Sequence, residues 1–172
     1  MPQIRLTNKS INELKSPPLK MIGRDCQFFD DWYLDIFRIT RKKTYLFMHV
    51  ETKVAFAIPS FEIGGVNNLF ECFALLLQDF FMEYGDENLA NRVYTSFIKE
   101  DFYFIKNKNK SMVPYTTQFK HRLLDRVTTM GYPFNQGLCD VAHKQWLNNF
   151  ITVGAKRADY ITPLQLMNAL ML

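Results

Sequence analysis

Cys139 and His143 are the pair whose types and spacing come nearest to chemistry. Four positions apart on a helix, they share a face, so a thiolate and an imidazole there could ligate one metal or act as nucleophile and base. Two ligands are too few for a structural zinc site, so the pair reads as a partly buried cysteine and an ordinary surface histidine. His49 falls in phase with Tyr45 and Phe47 at the end of an apolar strand and reads as a hydrogen-bonded sheet histidine. Asp30, Asp31 and Asp35 could converge for acid–base or metal work. With no second cluster to complete a site, they read as solvated loop and edge acids. Gly64-Gly65 is the only glycine pair and lacks the lysine and spacing of a phosphate loop, and there is no G-x-S-x-G or H-E-x-x-H. No catalytic residue, metal ligand or cofactor site is assigned.

The basic residues form a second group. Arg38, Arg41, Lys42 and Lys43 surround one hairpin turn, and Lys106, Lys108 and Lys110 alternate out of a strand, followed by Lys120, His121, Arg122 and Arg126. Alternate strand residues share a face. Arg38, Arg41, Lys42, Lys43, Lys106, Lys108, Lys110 and Arg122 are therefore candidates for holding phosphates, with Tyr103 and Tyr115 to stack on bases. The plainer alternative is lysines that solvate a strand edge and block aggregation. The net charge of +4 permits a nucleic-acid or acidic partner without demanding one. For a protein partner, the aromatic surface candidates are Phe28, Phe29, Tyr33 and Tyr115.

The elements that must position these residues follow from pattern. The 172 residues fit one domain, with residues 1–105 supplying a sheet and central helix and 114–172 a helical part. Sixteen phenylalanines require a large aromatic core. Ile4 to Asn8 reads as a short strand, and Ser10 to Lys15 as a helical turn capped by Ser10 and stopped by Pro17-Pro18. Trp32 to Thr40, Thr44 to Val50 and Val54 to Ile58 alternate as strands separated by the polar turns Arg41-Lys42-Lys43 and Glu51-Thr52-Lys53. Such short connections predict an antiparallel meander. In the first strand, Trp32, Leu34 and Ile36 face one way and Tyr33, Phe37 and Ile39 the other.

Gly64-Gly65 precedes a buried aromatic helix, Asn67 to Tyr84, then Gly85, Asp86 as N-cap and a helix from Glu87 to Lys99. Phe102 to Lys106 reads as a fourth strand. Further helices follow over Thr117 to Met130, from about Leu138 to Phe150 with Val141, Ala142 and Trp146, and from Pro163 behind Thr162 as N-cap. Gly154 to Asp159 reads as a loop.

Three segments carry a resemblance: Ile4-Arg5-Leu6-Thr7-Asn8-Lys9; Asp31 through Lys43 running into Thr44 to Met48; and Phe104 through Met112 with its Asn-Lys-Ser turn. With the proline-led closing helix, they make the chain similar to an uncharacterised family of small bacterial proteins, a domain of unknown function often found near mobile elements. Val113-Pro114-Tyr115 replaces the small-residue stretch that follows in that pattern. The resemblance implies an intracellular prokaryotic or phage setting and supplies no activity.

The expectation is an α+β fold: an antiparallel β-meander of about three to five strands packed against a buried aromatic helix, with a helical C-terminal half. Cys26, Cys72 and Cys139 form no C-x-x-C and suit a reducing, cytoplasmic compartment. No signal peptide or membrane-length apolar run is read. The function expected is a non-catalytic binding or regulatory protein acting through a protein surface. Two rivals stay open: a nucleic-acid-binding protein, and a small nuclease-like toxin using His121 or His143. A homodimer is compatible with the sequence, which leaves oligomeric state open.

Overall fold

The computed structural model describes residues 2–15, 29–85, 87–99, 103–107, 110–149, 152–153 and 160–171. In chain order these form β1 (Gln3–Leu6), α1 (Asn8–Leu14), β2 (Asp31–Ile39), β3 (Lys42–His49), β4 (Ala55–Pro59), α2 (Leu69–Tyr84), α3 (Glu87–Lys99), β5 (Tyr103–Lys106), α4 (Val113–Thr128), α5 (Gln136–Asn149), β6 (Thr152–Val153), β7 (Tyr160–Ile161) and α6 (Pro163–Met171). Cys26, Phe28, Lys108, the Pro17-Pro18 stop, Asp86 as N-cap, the strand start at Phe102, the helix end at Phe150 and the loop Gly154 to Asp159 lie outside the described residues. Among the described residues, no helix is long and apolar enough to cross a membrane.

The fold is α+β, with a five-stranded sheet in the order β4-β3-β2-β1-β5. β2, β3 and β4 form the antiparallel meander that short turns require. Thr40 and Arg41 alone make the first turn, both with positive φ (47° and 72°), as a two-residue hairpin with right-handed strand twist needs. Lys42 and Lys43, expected in that turn, instead begin β3. The sheet is mixed rather than wholly antiparallel: β1 lies parallel to both β2 and β5, with Leu6 opposite Leu34 and Lys106. Parallel pairing needs long crossovers. In the chain α1 lies between β1 and β2, and α2 with α3 lies between β4 and β5.

Strand alternation divides the core in two. Trp32, Leu34 and Ile36 of β2, Tyr45 and Phe47 of β3, and Phe56 and Ile58 of β4 meet α2, α3 and Met167 of α6. Tyr33, Phe37, Ile39, Leu46, Met48, Ala55 and Ala57 meet α4 and α5 on the opposite face. The expected facing of β2 is therefore observed. In the first core Phe73 is the hub, stacked on Phe47 at 3.8 Å and edge-on to Trp32 and Phe97. This is the expected aromatic helix against the sheet.

Local chemistry sets the helix ends. Thr7, rather than Ser10, caps α1: its hydroxyl accepts the Ser10 N–H at 3.0 Å, and the Ser10 hydroxyl donates to the Leu34 carbonyl. Gly65 stands at φ 149°, a conformation open essentially to glycine, ahead of the turn Val66–Asn68 that leads into α2. α4 begins at Val113, earlier than expected, because Pro114 fits a first helical turn. Thr162 and Gln165 exchange side-chain and backbone bonds at 2.9 and 3.2 Å, a capping box at α6. The helical C-terminal part is interrupted by the β6–β7 ribbon.

Candidate functional site

α5 closes one edge of the sheet, which sets the surroundings of the Cys139 and His143 side chains. In an antiparallel strand, alternate residues turn their carbonyls away from the partner. On β4 and the residue pair before it, the outward carbonyls of Lys53, Ala55 and Ala57 accept from Trp146 Nε1 (2.7 Å), His143 Nδ1 (2.7 Å) and Gln136 Nε2 (3.2 Å). Spacings of seven and three place these donors on one helix face. Ala55 and Ala57 leave room for the helix to come that close. His143 is buried, not at the surface, and its ring stacks on Phe56 at 4.4 Å. A carbonyl partner fixes the proton on Nδ1, and burial pushes the imidazole down to about 4, so it is neutral at pH 7. Cys139 is buried as well, and desolvation pushes its thiol up, away from the reactive thiolate.

The acids are engaged rather than solvated. Arg5 grips Asp31 through two bonds of 2.6 Å, and buried Asp35 accepts the Ile36 N–H at 2.8 Å while pairing with Lys120. Asp30 is buried too. His49 is a satisfied sheet histidine, accepting the Thr52 N–H at Nδ1. Among the described residues, no three His, Cys, Asp or Glu side chains converge as a metal site.

Two of the aromatic surface candidates are core residues. Phe29 is 4% exposed and Tyr33 2%, and burial raises the Tyr33 phenol to about 12. Phe29 packs on His49 and Phe81; Tyr33 alternates onto the α4–α5 face of β2. Tyr115 is half-buried beneath the Lys53 ammonium, 5.1 Å from its ring centroid, and burial lowers the Lys53 amine. One group of exposed apolar side chains lies between α4 and α5. Just past the end of α4, Gly131 takes a φ of 74°, which allows the Tyr132 N–H to reach back to the Arg126 carbonyl at 3.1 Å. Asn135 then caps α5 by accepting the Leu138 N–H. This turn presents Met130 and Tyr132, 57% and 51% exposed, beside Val141, 46% exposed.

These side chains border a groove between α4 and α5. One hollow of about 130 Å³ is lined by Arg122, Asp125 and Met130; another of about 410 Å³ is lined by Tyr132, Leu138 and Val141. Arg126 and Gln145 line both and are hydrogen-bonded to each other. Arg122 also lies over the Trp146 ring. The sequence signal for this groove was faint: Val141 falls out of phase with Leu138, Ala142 and Trp146, and apolar residues straddle Gly131.

The remaining basic residues divide between layers. Arg38 and Lys43 stand directly opposite each other on β2 and β3, and Lys106 stands in register with Leu6 and Leu34. All three project from the α1 side of the sheet. Arg41 sits in the hairpin turn, and Lys42 turns to the other face, 4.4 Å from the Phe61 ring centroid. Lys110 opens the turn into α4, whose Met112 is buried in the opposite core, and His121 is exposed on α4. Tyr103, at the start of β5, and Tyr115 are not grouped with the Arg38–Lys43 pair.

A fold of helices on both faces of a mixed sheet, with a groove and a basic sheet end, belongs to the class of small α+β domains. The chain belongs to the family described as Domain of unknown function (DUF6933), which matches residues 3–166. A comparison with curated proteins found no match.

Proposed function

We propose that the chain is a non-catalytic binding protein that docks a protein partner in the α4–α5 groove. The observation that carries this reading is the juxtaposition of exposed Met130, Tyr132 and Val141 with Arg122 and Arg126. Exposed large apolar side chains grouped beside polar ones mark interaction surfaces. Arginine and aromatic residues are the side chains that most often dominate binding energy. The fitting occupant is an extended peptide segment with an apolar side chain for the larger hollow and a carboxylate for the arginines. A bacterial or mobile-element setting and a cytoplasmic location suit such a modulator.

Selection from a displayed random-peptide library against the purified chain tests the reading. Enriched peptides should combine Asp or Glu with an aromatic or branched residue. They should lose at least tenfold in affinity for Arg126→Glu and for Val141→Asp, and keep it for Arg38→Glu. No enrichment, or peptides indifferent to both groove substitutions, refutes it.

A further inference from the structure

The sheet register gathers basic residues that the sequence scatters. β1, β2 and β5 run parallel, so their C-terminal ends share one end of the sheet, and α1 starts there. Lys106, Arg38 and Lys43 project on the α1 side, and α1 with its C-cap adds exposed Lys9 and Lys15. Arg41 crowns the hairpin beside them, its carbonyl bonded to Arg38 Nη1 at 3.1 Å. Glu13 stands among these residues, and its carboxylate is paired with Lys43. That hydrogen bond, then the charges of Lys43, Arg38 and Lys9, holds the Glu13 carboxyl below its ordinary range, which places those cations within electrostatic reach of one point.

Arg38 faces Lys43 directly across the two strands, and Glu13 offsets that like-charge contact by pairing with Lys43. The cations span a length that suits a phosphate backbone. Arg38 lies four residues beyond the level of Lys106 and two strands across, about 13 Å along and about 10 Å sideways, or roughly 16 Å in all. The two strands of a duplex together carry a phosphate about every 1.7 Å of axis, so about nine fall within this length and roughly half of them face one side.

We infer that this end of the sheet is a binding face for the phosphate backbone of a nucleic acid, contacted without reading of bases. Lys9, Lys15, Arg38 and Lys106 make the phosphate contacts; Lys43 holds Glu13 out of the way. The face is independent of the α4–α5 groove. It also differs from the basic set drawn from sequence: Lys42 faces the opposite side, and Lys110 and Arg122 belong to the α4 layer.

Fluorescence anisotropy tests this with the full chain, a labelled mixed-sequence 20-nucleotide single strand and the matching duplex, titrated from low to moderate salt. With about four phosphates neutralised, the logarithm of affinity should fall with that of salt at a slope of about −3 to −4. The triple charge reversal Lys9→Glu, Arg38→Glu, Lys106→Glu should weaken binding at least thirtyfold. Triple glutamine substitution at the same positions should weaken it at least tenfold, and circular dichroism identifies which variants keep the fold. Lys42→Glu and Arg122→Glu, off this face, should change affinity less than twofold. Absence of binding to either oligonucleotide at low salt overturns the inference, as does undiminished binding by the folded glutamine variant. Equal affinity for polyglutamate of matched length also overturns it, because the face then takes any polyanion.

Discussion

Acidification should loosen the fold through His143, and the amount can be worked from its surroundings. Its imidazole is buried against Phe56 and Phe80, and its Nδ1–H is committed to the Ala55 carbonyl. Burial holds it at about 4 against an ordinary 6.5. Above pH 6.5 the group is neutral in both folded and unfolded chains and contributes no pH dependence. As pH falls below 6.5 the unfolded chain takes up a proton that the folded chain refuses, so stability is lost. At 1.36 kcal/mol per unit the loss is about 2 kcal/mol by pH 5 and approaches about 3 kcal/mol below pH 4. Urea unfolding of wild type and His143→Gln at a series of pH values between 5 and 7.5 isolates this contribution. Glutamine keeps an N–H donor but cannot titrate. The wild type should lose about 2 kcal/mol more than the variant across that interval. Parallel profiles for the two proteins would refute the assignment of His143 as a neutral, buried donor.

Phe73→Ala should destabilise the chain by about 3–5 kcal/mol in urea or thermal unfolding, since it empties the centre of a stacked aromatic cluster. Gly131→Ala forces a side chain into the left-handed region at φ 74° and should cost about 1–2 kcal/mol by the same measurement. A double-mutant cycle with Asp35→Ala and Lys120→Ala should give a coupling of about 0.5–3 kcal/mol. Asp35→Ala alone costs about 1–3 kcal/mol because the buried Ile36 N–H loses its acceptor.

What the sequence made legible was local. Trp32 through Ile39 alternates strictly enough to assign each residue to a core, and the short turns dictate the antiparallel partners of β2, β3 and β4. Thr162-Pro163 announces the start of α6 through backbone geometry alone. What escaped depends on contacts between distant segments. Nothing in Gln3–Leu6 says that it lies between two parallel strands, because its period of two suits an edge equally well. His143 reads as a surface residue until α5 is laid along β4, where helical spacing matches it to the carbonyl of Ala55. Tyr33 and Phe29 look like surface aromatics only while the helices that cover them are unplaced. The groove is illegible for the same reason, since Met130 meets Val141 only through the turn at Gly131; of the basic face, Arg38, Arg41, Lys43 and Lys106 are legible as candidates, and only strand register separates them from Lys42 on the opposite side.

The internal position of β1, between β2 and β5, has a consequence for how the chain is made. Ile4 is synthesised about a hundred residues ahead of its β5 partner, Phe104. The meander of β2, β3 and β4 can close through nearby contacts as soon as Pro59 is available, and such local pairings form fast. β1 must wait with one backbone edge open until α2, α3 and β5 have been synthesised, several seconds later at about 5–20 residues per second. Vectorial synthesis thus separates an early nucleus from a late seam, and nascent chains that stop short of β5 should remain open to proteolysis around β1.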